Sequence, residues 1–272
     1  DEIYALTDDS HHEVIDKLFS EHGEFIRENH NVFGYWIWKP YLIDYFLSKI
    51  PDQEIIFYMD PGCEISTFGS GRFFEFVEFI NHHGALFFSM PRDEITRTKR
   101  IVYDYLEGKS CINPRQVQAT WFGLKNSSAV RGLIKEWLRL SCYQNYRFLD
   151  DSSHEVEEYP EFVGHRSDQS ILSILVKRGG YMIKEHEDIF KGYLYCANSW
   201  VLLEPVHVLR NRSGGSELTK ILKSSSIDKS IKDLYGIRCH PFYSIKFILR
   251  YLCWFFPKIL SKLDLFIRPQ TK

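Results

Sequence analysis

The sequence contains no Cys-x-x-Cys pair and no zinc-finger spacing. Its six cysteines, Cys63, Cys111, Cys142, Cys196, Cys239 and Cys253, are scattered along 272 residues. That arrangement excludes the common structural zinc modules and a thioredoxin-like redox motif. Scattered thiols in a chain of this length are expected to be reduced, in a cytosolic compartment. No stretch near Asp1 has the layout of a secretory signal, and none is expected to be one. There is no internal repeat, which removes solenoids and propellers. A large excess of one charge is also missing, the net formal charge being −2.

That small net charge conceals an asymmetry. Ser216 to Lys272 carries 11 Lys/Arg against 4 Asp/Glu, and the residues before it carry 23 against 32. An acidic body argues against nucleic acid as a partner, and a basic end marks the last 57 residues as a separate physical object. Aromatic residues are abundant, with 21 Phe, 16 Tyr and 6 Trp. Flat side chains suit nucleobases and sugar faces as well as cores.

Periodicity divides the first 215 residues into alternating elements. Ile3 to Leu6 reads as a short strand, and His12 to Glu28 as a helix with Val14, Ile15, Leu18, Phe19 and Phe25 inward. A second helix covers Tyr41 to Ile50, with Pro40 in its first turn. Glu54 to Met59 is a strand ending at Asp60-Pro61-Gly62. Arg72 to Asn81 is helical, Ala85 to Ser89 and Gln118 to Leu124 are strands, and Ser128 to Asn145 is a helix. Asp150 to Glu161 is an acidic loop, and Asp168 to Lys177 a helix closed by Gly179-Gly180. Strand–helix alternation predicts an α/β domain with a mixed, mainly parallel, Rossmann-like sheet over residues 1–215.

Four clusters could carry chemistry. Asp60, at the carboxyl end of a strand where open sheets place ligands, could hold a hard divalent cation on a diphosphate, or simply start a β-turn. Gly34-Tyr35-Trp36-Ile37-Trp38-Lys39-Pro40 could stack a base or sugar and meet a phosphate at a helix start; its alternation equally allows a strand with Trp36 and Trp38 on one face. His165-Arg166-Ser167-Asp168-Gln169-Ser170 is a dense polar run before an apolar helix, of which a cap would use only Ser167 or Asp168. His207, Arg210 and Arg212 could complete a metal site and neutralise phosphate, and a lone His at a strand end can equally be structural.

Three of these blocks, GYWIWKPYLI, IIFYMDPGCEI and HRSDQSILSIL, resemble in that order the bacterial surface-polysaccharide glycosyltransferases of the GT-A fold. The resemblance implies hexose transfer from a nucleoside-diphosphate sugar to a glycan or lipid-linked acceptor. It places Trp36, Trp38, Lys39, Asp60, Gly62, His165, Arg166, Arg210 and Arg212 around the donor. It places Mn²⁺ or Mg²⁺ on Asp60 and His207, and Asp168 and Gln169 at the reacting carbon, as in retaining enzymes. The usual Asp-x-Asp is incomplete here, because Gly62 stands at its third position. The alternative functions are a non-catalytic nucleotide-sugar or carbohydrate-binding protein and a membrane-associated scaffold.

The basic segment 216–272 supplies the remaining expectation. From Pro241, Lys246, Arg250, Lys258 and Lys262 recur at multiples of four among Phe, Ile, Leu and Trp. The longest uncharged run there, Tyr251 to Pro257, is far below the ~20 residues a spanning helix needs. An amphipathic helix lying on an anionic membrane fits this pattern, placing the protein at the inner face of the cytoplasmic membrane. A helix closing over the domain's own core is the competing reading.

Overall fold

The computed structural model describes residues 2–7, 9–65, 70–111, 114–152, 156–184 and 205–208. The chain divides into two compact units, Asp1–Asp60 with Phe76–His186, and Pro61–Glu75 with Glu187–Lys272. The basic tail from residue 216 onward lies outside the described residues.

The first unit opens with α1 (Glu13–Glu28), whose N-terminus is capped by His12 accepting from the Val14 N–H. Val14, Ile15 and Leu18 form its buried face. A 3-10 segment, His30–Trp36, leads into α2 (Trp38–Lys49), so the Trp-x-Trp alternation belongs to a turn and a helix start and forms no strand. Next come β1 (Ile55–Met59), α3 (Ser70–His83), which begins in the second unit, and β3 (Ala85–Asp93). α4 (Arg100–Tyr105), β4 (Arg115–Val117), β5 (Trp121–Lys125), α5 (Ser128–Ser141), α6 (Tyr143–Tyr146), α7 (Ser167–Arg178) and β6 (Ile183–Lys184) complete the unit. In the second unit, β2 (Cys63–Ile65) pairs antiparallel with β7 (Val206–Val208). The strand expected at Ile3 to Leu6 is absent, and Ile3 stands 91% exposed.

The mainly parallel, Rossmann-like sheet expected from the alternation of elements is not what forms. Hydrogen-bonded neighbours run β1-β5-β3-β4, with every one of these pairs antiparallel. Among the described residues, only the two-residue β6 lies parallel to β3. The helical crossover through α3 does return β3 in the direction of β1, as the alternation requires. β5 runs the other way between them, however, and converts both ladders to antiparallel. A sequence pattern reports the direction of successive strands but not which strand is later inserted between them.

The sheet core is dense. Ala85 to Ser89 of β3 and Trp121 to Leu124 of β5 are buried, as are Trp137 and Ile134 on α5. Gly123 is required by close approach: a Cβ there would overlap Ile80 Cδ1 and meet Phe57 Cε1 at 2.9 Å. α2 packs on α5, α5 on α7, and α7 on β4. This stacking brings the start of α2 and the start of α7 toward the carboxyl end of β1.

Candidate functional site

Lys39, in the first turn of α2, is 4% exposed and projects among carboxylates from distant parts of the chain. Its Nζ lies 3.1 Å from Asp60 Oδ1 and 3.5 Å from Asp60 Oδ2. It lies 3.2 Å from Asp168 Oδ2 and 3.3 Å from the Ala119 carbonyl oxygen. Asp60 caps the end of β1, where its N–H donates to Thr120 O at 2.8 Å. Asp168 sits in the first turn of α7, its own carbonyl accepting from Trp137 Nε1 at 2.9 Å. The rings of Trp36, Trp38 and Tyr58 surround the ammonium at 5.9, 5.9 and 5.7 Å. All three are half-buried, and Asp60 keeps 27% of its side chain exposed, so the cluster reaches the surface through aromatic faces and one carboxylate.

The backbone feeding this cluster is unusual. Phe33, Gly34, Tyr35 and Trp36 have φ of 52°, 58°, 49° and 63°. A left-handed turn of this length disfavours L-residues by ~1–2 kcal/mol each, and such strain survives only where surrounding contacts over-determine it. Here Gly34 N–H donates to Asn29 O at 3.0 Å, Ile37 N–H to Gly34 O at 3.1 Å, and Tyr35 Oη to Asp151. Ser167, immediately before Asp168, also has a positive φ, 45°.

The charges respond to their setting. Burial lowers the proton affinity of the Lys39 amine, but Asp168 and Asp60 more than offset it and hold the ammonium above its ordinary range. For Asp168 the balance reverses: burial, with the nearby Asp60 charge, outweighs Lys39 and pushes the carboxyl up to about 6. Its Oδ2, though close to the ammonium, has no hydrogen bond of good geometry among the described residues.

The other motif residues divide clearly. Gln169 is a brace: its Oε1 accepts from Ala119 N–H at 3.3 Å and its Nε2 donates to Gln116 Oε1 at 2.7 Å. His165 takes the Lys99 N–H on Nδ1 at 3.2 Å and faces Phe148 O through Nε2 at 2.9 Å. That pair of partners requires the proton on Nε2. Arg166 is exposed and precedes α7, its N–H directed to Arg97 O and Ser170 Oγ. Gly62 lies in the turn after β1, within the second unit. His207 is paired in β7 opposite Glu64, with its side chain outside the described residues, as are Arg210 and Arg212 altogether.

Tyr58 was not singled out by sequence, although it stands two residues before Asp60, near the end of β1. Its Oη donates to Asp60 Oδ1 at 2.7 Å. Gln116 and Glu94 were also missed. Gln116 donates to Glu94 Oε1 at 3.1 Å, where Thr98 Oγ1 also donates, at 2.6 Å. Glu94 Oε2 accepts from Ser173 Oγ and, at 2.7 Å, from Lys177 Nζ. A cavity of about 400 Å³ elsewhere in this unit, lined by Cys111, Lys177, Arg178 and Tyr181 among others, contains none of the motif residues.

A divalent cation was the expected cofactor at Asp60. Mg²⁺ and Mn²⁺ need oxygen ligands turned toward the ion, whereas both oxygens of Asp60 are turned toward an ammonium. Among the described residues no three His, Cys, Asp or Glu side chains gather as a metal-binding group. With its oxygens on Lys39, Asp60 as described does not fit a divalent ion, and the side chain of His207, the other expected ligand, lies outside the described residues. No described helix is long and apolar enough to cross a membrane.

No family model matches the chain, and no curated protein or solved structure gives a significant match.

Proposed function

We propose that the chain is a glycosyltransferase that moves a hexose from a nucleoside-diphosphate sugar to a glycan or lipid-linked acceptor. The observation that carries the reading is the meeting of three motifs, Trp36-x-Trp38-Lys39, Asp60 and Asp168, in one cluster at the end of β1. Half-exposed aromatic faces beside a partly open carboxylate are what a sugar needs: rings cover its C–H surface while the carboxylate accepts from its hydroxyls. Two carboxylates against one ammonium leave the cluster negative when both are ionised. This suits the hydroxyl-bearing sugar end of the donor better than its phosphates. The phosphates would fall to cationic groups outside this cluster. In the transferase, Asp60 would orient the sugar, and the negative cluster would favour the positive charge that develops on the ring as its bond to the diphosphate breaks.

A second reading, a nucleotide-sugar- or carbohydrate-binding protein without turnover, is favoured by one observation. Asp168 is 3% exposed and Gln169 is committed at both ends of its amide, so Asp168 is out of an acceptor's reach and Gln169 is already engaged. A panel of nucleotide sugars in a thermal-shift assay tests both readings, since a ligand that binds only the native state raises its melting temperature. Turnover of the stabilising donor then separates them. Asp60→Asn should reduce transfer at least about a hundredfold, while Lys39 keeps its Asp168 partner and the fold survives. Stabilisation without turnover would leave the binding protein, and near-normal transfer by Asp60→Asn would remove Asp60 from the site.

A further inference from the structure

Four oxygens from three segments of the chain surround a single ammonium: two of Asp60 from the end of β1, one of Asp168 from α7, and the carbonyl of Ala119 before β5. Carboxylates and a carbonyl are the ligand types a hard divalent cation collects. Here they stand at 3.1–3.5 Å, hydrogen-bonding distances to nitrogen. The Asp168 side chain is 5% exposed and that of Asp60 27%, so two like charges have been brought together in a place where water screens them only in part. Without a cation between them, Asp60 and Asp168 would repel across the gap that Lys39 now fills. Trp36, Trp38 and Tyr58 wall the ammonium in and add the attraction of their ring faces. Asp168 Oδ2, close to the ammonium yet without a well-directed hydrogen bond, is the ligand the single cation serves least well.

We propose that Lys39 is the resident cation of this site, a positioning residue that holds Asp60 and Asp168 together where a divalent metal would otherwise have to stand, so that the site assembles without one. The proposal concerns how the two carboxylates are held and does not rest on the sugar-transfer reading. It carries a specific corollary. Taking the ammonium away leaves two facing carboxylates and a carbonyl around a vacated position, which is an oxygen-lined site for Mn²⁺ or Ca²⁺.

The test is thermal unfolding of the full chain at pH 7.5, in EDTA and in millimolar Mg²⁺, Ca²⁺ or Mn²⁺ alone. The wild type should melt at one temperature, within about 1 °C, in all four conditions. Lys39→Met, close in length and uncharged, should melt roughly 10 °C lower in EDTA, as expected for breaking a buried ion pair in a chain of this size. Mn²⁺ or Ca²⁺ should recover several degrees of that loss, and Lys39→Met/Asp60→Asn should show no recovery. A purely structural salt bridge predicts the loss without the rescue, and that outcome overturns the proposal. So does a divalent-ion stabilisation of the wild type that disappears in Asp60→Asn. If Lys39→Met does not fold, the wild-type and Asp60→Asn arms still decide, because metal-dependent melting of the wild type alone contradicts a resident ammonium.

Discussion

Lys39, Asp60 and Asp168 show how position alone assigns different behaviour to chemically ordinary groups. Asp60 and Asp168 face one ammonium, yet only Asp168 is deeply buried, and its carboxyl is pushed up to about 6 from an ordinary 3.8. The consequence for stability has a definite sign. An acid whose folded value is raised binds its proton more tightly in the folded state, so its contribution is greatest below about 3.8. That contribution is lost as pH rises toward about 6 and is level above it. Asp168→Asn imitates the protonated side chain and removes the titration. The stability of the wild type relative to Asp168→Asn should therefore fall from pH 4 to pH 6 and then stay flat, measured by urea unfolding across that range. A difference that is constant with pH, or that rises over the same interval, would contradict the burial-dominated setting of Asp168. Neighbouring residues that look equally functional in sequence behave differently. His165 spends both ring nitrogens on backbone groups, and Gln169 spends both ends of its amide on Ala119 and Gln116.

At the scale of elements, α7 is held to the sheet by polar contacts as much as by its apolar face. Ser173 Oγ accepts from Val117 N–H at 2.7 Å, and Lys177 pairs with Glu94 at 2.7 Å, both side chains being 3% exposed. Breaking a buried pair by removing one partner costs about 3–5 kcal/mol, because the other charge is left uncompensated. Lys177→Met should destabilise the protein by about that amount. Lys177→Met/Glu94→Gln should recover most of the loss, because the stranded charge is gone. Denaturant unfolding of the single and double variants measures this, and a double variant no better than the single would show that Glu94 owes its stability to Thr98 and Gln116 instead. This clamp was not legible in the sequence, since Glu94 and Lys177 are 83 residues apart and neither stands in a motif. What was legible is local. The helices at 13–28 and 128–141, the strands at 55–59 and 85–93, and the helix from 167 follow their periodicity within a few residues. The Trp-Lys segment was readable as a helix start but not as a left-handed turn, because only Gly34 among its four positive-φ residues signals one. There a Cβ would sit 2.8 Å from Ile26 Cγ1. Sheet order failed for a reason of the same kind, because the insertion of β5 between β1 and β3 depends on tertiary packing that no local pattern encodes.

For the whole molecule, the strongest physical contrast is between the acidic body and the basic end of the chain, and it yields a prediction from sequence alone. Residues 241–272 lie outside the described residues, and their composition and spacing carry the contrast. Phe242 to Phe256 supplies apolar side chains for burial in a lipid interface, with Trp254 the type of residue found at headgroup depth. Lys246, Arg250, Lys258 and Lys262 each add ~1 kcal/mol of attraction to an anionic surface. Four such charges together correspond to roughly a thousandfold shift toward the membrane, and salt should weaken it by shortening the Debye length. The acidic body, with 32 Asp/Glu against 23 Lys/Arg, would be repelled by the same surface, which orients the protein with its tail inward. The full chain should therefore sediment with phosphatidylserine-containing vesicles at low salt, less so at high salt, and hardly at all with neutral vesicles. A variant lacking Pro241 to Lys272 should remain folded and stay in the supernatant. The competing arrangement, a helix that closes over the domain's own core, predicts that the truncated protein melts early or aggregates, because its removal exposes apolar surface. Co-sedimentation of both forms at two salt concentrations, together with their melting temperatures, separates these outcomes. A full-length chain that ignores anionic vesicles at low salt would leave the basic stripe without a membrane role.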